Sequence, residues 1–199
     1  MPITDIAELE AIYGEPADLS VTKVWDRISP AYQRWITEAR FVILSTVGPE
    51  GTDASPRGDA GPVVRIEDER RLLLPDWMGN NRIDSLRNIV RDPRVSLMFM
   101  IPGVKNVVRV NGRAEVSAEA ELVGAFVMKG KHPRTVIDIA VSEVYFQCAK
   151  ALMRSELWAG ADLSDMVPTA GDFVREKKAD FDGEAYDKGY EAYAQPKMW

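Results

Sequence analysis

The sequence has a single cysteine, Cys148, and a single histidine, His132. One cysteine excludes an internal disulfide, and two isolated residues of these types make no cluster of the kind that holds zinc or iron. No apolar run approaches the roughly 20 residues needed to span a bilayer, so no membrane role is expected. Cations are in the minority, with 25 Lys and Arg against 31 Asp and Glu and a formal charge of −6. Nucleic-acid binding needs a surplus of Lys and Arg on some face, so no such partner is expected, although a local basic pocket for one small anion stays open. The first residues, MPITDIAELE, lack the basic and apolar regions of a secretory signal, and the expected location is the cytoplasm.

What is present is ordinary for a soluble globular chain: 46% apolar and 28% charged residues. A length of 199 residues predicts one domain with extensions and a core that needs neither disulfide nor structural metal. Ile6, Leu9 and Tyr13 recur at helical spacing before the stop signals Gly14 and Pro16. Ser29 followed by Pro30 opens a second helix, with Tyr32, Trp35, Ile36 and Ala39 on its apolar face.

From Phe41 the period changes. FVILSTVG, TDASPRG, VVRIED and RLLLPDW are short apolar or β-branched runs separated by turn signals, which predicts a four-stranded antiparallel meander. A helix is predicted over 82–91, with Ile83, Leu86, Ile89 and Val90 on one face and Pro93 ending it. The run 95–101 reads as a strand covered on both faces, and 107–116 as one with Val108, Val110, Gly112, Ala114 and Val116 opposite Arg109, Asn111, Arg113 and Glu115. A helix over 118–128, a basic loop KGKHPRT and a last long strand TVIDIAVSEVYFQ follow. The fold class predicted is mainly β with flanking helices: a six- to seven-stranded antiparallel barrel with helices at its rim. The expected organisation is a helical extension over 1–40, the barrel domain over 41–158, and a tail over 159–199 whose short helix docks by the stripe Tyr186, Tyr190 and Tyr193.

Three stretches carry chemistry. In Ser55-Pro56-Arg57-Gly58-Asp59 the proline implies an edge or irregular strand, the glycine admits a flat ligand or another backbone, and the arginine suits a phosphate or a polarised carbonyl. An exposed Arg57–Asp59 ion pair is the alternative. In Pro75-Asp76-Trp77-Met78-Gly79-Asn80-Asn81-Arg82 a strand passes through a glycine loop into a helix, whose free N–H groups and dipole favour an anion, with Arg82 adding a full charge. The alternative is a capping box, with Asn81 as cap and Asp84 as its acidic partner. In the stretch from Cys148 to Trp158, read as helical, Lys150 and Arg154 lie four apart with no acid between them on that face, so an anion or the solvent must accommodate them. Cys148 reads as a small buried residue and His132 as an exposed loop residue.

The segments ASPRGD, LLLPDWMGNNRIDSLRNI, and DPRVSLMFMIPG followed by VRVNGRAEV together resemble the FMN-binding split-barrel family of pyridoxamine 5'-phosphate oxidase and its relatives, over roughly residues 41–158. The chain is most similar to a bacterial subgroup carrying PRGD and RSxLW motifs. The resemblance implies a split β-barrel, FMN as cofactor with its phosphate held by Arg57 and Arg82, and a homodimer with two FMN sites at the subunit interface. The cofactor-binding set it implies is Ser55, Arg57, Gly58, Asp59, Pro75, Asp76, Asn80, Asn81, Arg82, Arg109, Lys150 and Arg154, the last three giving the polar faces a use at that interface. It also implies FMN-dependent oxidoreduction of an unknown small molecule; the alternative in another class is non-catalytic storage, sensing or carriage of FMN, haem or a deazaflavin, and a third is a cofactor-free dimer. The family's substrate-holding Arg-Leu-His element is here Arg154-Ser155-Glu156-Leu157-Trp158, so the resemblance does not extend to vitamin B6 oxidation. No helix of closely spaced glutamates supports a nudix phosphohydrolase, and no Gly-rich Rossmann fingerprint supports a resident dinucleotide.

Overall fold

A computed structural model describes residues 1–199. Two helices, α1 (Ile6–Tyr13) and α2 (Asp18–Thr22), bury no residue; the chain meets the body of the protein at Lys23, whose ammonium lies 4.7 Å from the centre of the Phe146 ring, and at Trp25, which exchanges backbone hydrogen bonds of 2.9 and 2.7 Å with Val144. Helix α3 (Pro30–Glu38) begins with Pro30, whose missing N–H costs nothing in the first turn, and buries Ile36 completely.

Seven strands follow: β1 (Phe41–Gly48), β2 (Gly51–Gly58), β3 (Arg65–Asp68), β4 (Arg71–Asp76), β5 (Arg94–Met100), β6 (Val107–Ser117) and β7 (Thr135–Gln147). They form one wholly antiparallel sheet in the order β2-β1-β5-β6-β7-β4-β3. The expected four-strand meander is therefore two hairpins, β1-β2 and β3-β4, at opposite edges of the sheet. Val63 and Val64 explain the break: the segment before β3 is a bend whose two valines are buried in the core, and Val63 N–H is satisfied by Ala39 rather than by a neighbouring strand.

Strands β6 and β7 join the two halves. They are the longest, and their ladder slips between Asn111 and Gly112. At that slip a Cβ on Gly112 would lie 2.2 Å from the Ala140 carbonyl oxygen, so only glycine lets the strands approach this closely. Inside the curl, Val42, Leu44, Leu97, Phe99, Val110, Ile137 and Ile139 are inaccessible to solvent and form the centre of the core.

Helix α4 (Asp84–Arg91) packs on β1, where Ser85 and Ile89 are buried and Asn88 donates to Thr46 over 3.1 Å. It starts two residues later than expected because Asn81 and Ile83 have left-handed backbones, with φ of 61° and 54°. Val90, placed by periodicity on the apolar face, is 76% exposed. Strand β5 alternates buried and half-buried residues instead of being covered on both faces. Two expected helices shrink to α5 (Ala120–Gly124) and α6 (Lys150–Arg154), the second ending before the left-handed Glu156. Cys148 is exposed, not buried: it follows the last residue of β7, where the sheet no longer covers it.

The tail contains α7 (Ala170–Lys177) and α8 (Gly183–Ala194), which cross at Gly171 and Gly183, where a Cβ on Gly171 would come within 2.3 Å of the Gly183 carbonyl. No helix is long and apolar enough to cross a membrane.

Candidate functional site

Strand β2 is an edge strand with one neighbour, which tolerates Pro56, and it alternates exposed residues with half-buried Asp53, Ser55 and Arg57. The curl of the sheet carries this edge round to β4. There the Arg57 guanidinium pairs with Asp76, the last residue of β4, and the two side chains are only 21% and 18% exposed. The pair closes the open side of the barrel. It also corrects the alternative of an Arg57–Asp59 surface pair: Asp59 lies past the end of β2, and its carboxylate accepts from the indole N–H of Trp77 at 2.8 Å, the indole N–H of Trp199 at 3.2 Å and the Ala60 amide at 2.6 Å.

Around this closure lies a cavity of about 660 Å³. Of the twelve residues expected to hold a cofactor, eight line it: Ser55, Arg57, Gly58 and Asp59 from β2 and its end, and Pro75, Asp76, Asn80 and Asn81 from β4 and the loop beyond. Its floor is apolar, with Val63, Leu74 and Leu86. Two polar atoms in its walls are buried and unpartnered, Nε of Arg57 and Oγ1 of Thr135.

The loop from Met78 to Ile83 bounds one end. Asn81 does not cap α4; its side-chain oxygen accepts from Arg134 at 2.9 Å, while Asn80 accepts from the Arg82 amide at 3.0 Å, and Ile83 occupies the cap position without a side-chain hydrogen bond. A β-branched residue with positive φ costs on the order of 1–2 kcal/mol, and such strain concentrates at binding sites.

Four expected residues lie outside this cavity. Arg82 is highly exposed, pairs with Asp84, and lines an adjoining polar hollow of about 420 Å³ with Arg87 and Arg91. Arg109 stands on the outer face of β6 with its guanidinium 5.4 Å from the Tyr145 ring, and Lys150 and Arg154 are exposed on or beside α6. Among the lining residues outside the expected set are Arg134, Tyr190 and Met198. Arg134 falls in the stretch KGKHPRT, read as a plain basic loop; its position immediately before β7, which pairs with β4, was the available signal. Tyr190 and Met198 come from the tail, and nothing in their spacing ties them to residues some 120 positions earlier.

A family model described as pyridoxamine 5'-phosphate oxidase matches residues 28–148. No curated protein matches the chain. Among solved structures, a single-site variant of HupZ from Group A Streptococcus is similar with a TM-score of 0.51 at 17% identity, covering 60% of this chain and 99% of that one. A Lactobacillus delbrueckii protein described as a candidate pyridoxamine 5'-phosphate oxidase is similar with a TM-score of 0.50 at 20% identity, covering 61% and 95%. At these identities the likeness is one of fold, the split barrel with flanking helices.

Proposed function

The chain belongs to the pyridoxamine 5'-phosphate oxidase family, and from that premise we propose that it is an FMN-binding flavoprotein, an oxidoreductase acting on a small molecule as a homodimer. The observation that carries this reading is the convergence of β2, β4 and the start of β7 on one cavity of about 660 Å³, with Nε of Arg57 and Oγ1 of Thr135 left unpartnered in its wall. Its size lies in the range of about 300–1,000 Å³ usual for cofactor sites, and it combines an apolar floor with a few convergent polar groups.

The residues divide by charge. Arg57 shares its charge with Asp76, so it suits a polarised ring carbonyl better than a phosphate dianion. The other end of the cavity, with the amide groups of Asn80 and Asn81 and the exposed guanidinium of Arg134, suits the phosphate, and Arg82 stands beside it. FMN, when bound, supplies the electron transfer. Asp59 contributes by holding the Trp77 indole at the cavity edge.

Homodimerisation is supported by the outer face of β1, β5 and β6, where the cross-strand register aligns Ile43, Met98 and Arg109 in one row and Ser45, Ser96 and Asn111 in the next. A second copy packed there would give Arg109, and with it Lys150 and Arg154, a route to the site of the other subunit. The test is anaerobic: FMN-loaded protein mixed with NADH or NADPH, followed by a defined acceptor, with mass measured by sedimentation. Reduction and reoxidation in a dimer support the oxidoreductase; a flavin that stays oxidised with both donors assigns the protein to storage or sensing instead.

A further inference from the structure

The cavity has a wall that does not come from the barrel. Tyr190 and Met198 line it from the tail, beyond residue 148 where the family match ends, and both are about half exposed, at 52% and 45%. The chain between them continues from α8 into a short 3₁₀ turn, Gln195–Lys197. Four contacts tie this end of the tail to the barrel. The Trp199 indole donates to Asp59 at 3.2 Å, sharing that carboxylate with Trp77. Lys131 Nζ donates to the backbone oxygens of Pro196 at 2.8 Å and Trp199 at 2.7 Å. Lys129 Nζ sits 4.3 Å from the centre of the Trp199 ring, within cation–π range.

We propose that the segment from Tyr190 to Trp199 is the ceiling of the cavity, with Tyr190 and Met198 selecting a flat ring between themselves and the apolar floor, and with Trp199 on Asp59, braced by Lys131, as the latch that positions them. This rests on the cavity being the flavin site and deepens that reading. The chemistry of the two selecting residues agrees: a phenol ring and a thioether both make favourable contacts with an aromatic face. The latch is light enough to open. Its hydrogen bonds are few, the two from Lys131 are exposed and the one from Trp199 to Asp59 is only partly buried, and beyond them the α7-α8 hairpin is held mainly by its own crossing, with the Gly171 amide bonded to Asp187 at 2.9 Å. A ligand enters when Trp199 leaves Asp59 and is enclosed when it returns.

The test uses the full chain and the variants Tyr190→Ala/Met198→Ala (double), Trp199→Ala and Lys131→Ala, titrated with FMN and with riboflavin. A ceiling acts on the ring, so the double variant loses about tenfold in affinity for both flavins equally. Lys131→Ala and Trp199→Ala release both flavins faster and open the bound ring to iodide quenching. Unchanged affinity, release and quenching in all variants overturns the proposal, as does a loss confined to FMN, which would place these residues at the phosphate. If the wild-type protein binds neither flavin, the function proposed above fails and the latch is decided separately, by exchange of the Trp199 indole proton in the cofactor-free protein. Protection that is lost in Lys131→Ala supports the latch for another flat ligand; an unprotected indole in the wild type overturns it.

Discussion

The Arg57–Asp76 pair makes a prediction with two opposite signs. Both side chains are about four-fifths buried, so the pair is a charge-assisted hydrogen bond with little solvent screening, and removing one partner leaves the other desolvated. A hydrogen bond to a charged group contributes about 1.5–3 kcal/mol, and residual exposure trims this to roughly 1–3 kcal/mol for Asp76→Asn, which keeps the shape and loses the charge. For a chain of this size that lowers the melting temperature by roughly 2–12 °C. The same substitution frees the Arg57 guanidinium for an electron-rich ligand, and one recovered charge-assisted bond of about 1.5 kcal/mol tightens FMN by roughly tenfold. Arg57→Met, by contrast, lowers both stability and affinity, because it strands Asp76 and removes the donor. Thermal unfolding by circular dichroism and flavin fluorescence titration read the two quantities separately. If Asp76→Asn weakens FMN as much as Arg57→Met does, Arg57 is not the group that Asp76 restrains and the charge argument is wrong.

Gly112→Ala forces a Cβ onto the Ala140 carbonyl at the slip between β6 and β7, and the cost expected is about 2–4 kcal/mol, from overpacking and at least one broken ladder bond, read by urea unfolding. Leu44→Ala removes a fully buried side chain from the centre of the core and costs about 2–5 kcal/mol in the same assay. Asp92 is held down at about 2 by the side-chain and backbone hydrogen bonds of Arg94, which opens β5. A carboxylate whose folded value lies below its unfolded value of about 3.8 stabilises the fold above that pH and loses the contribution as pH falls toward 2. Asp92→Asn therefore flattens the acid limb of a stability-against-pH curve between about 4 and 2; an unchanged limb would mean the Asp92–Arg94 pair does not form in solution.

The elements that could be read from the sequence are those with a strong local period. Strand β1, the bounds of β7 and the start of α3 at Ser29-Pro30 follow from alternation and capping alone, and the edge position of β2 follows from Pro56. What failed was decided by non-local packing. Val63 and Val64 look like strand residues yet turn inward as a buried bend, and the left-handed Ile83 delays α4 although helical spacing includes it. The same distinction applies to the site. Ser55 and Arg57 fall on the half-buried face that alternation marks along β2, and Asp76 ends β4 beside them, so the cavity brings the three together. The tail residues Tyr190, Met198 and Trp199 reach the cavity only through the fold of α7 and α8, and Asp59 meets Trp199 across 140 positions of chain, a pairing that spacing cannot encode.

The central claim is that the cavity between β2 and β4 holds FMN. It is tested most directly by the visible absorption spectrum of the purified protein, followed by heat release and identification of any chromophore, with FMN titration of protein that emerges colourless. The account predicts flavin bands, FMN in the supernatant and one FMN per chain. A colourless protein that also fails to bind added FMN would contradict it and leave the barrel without its proposed ligand.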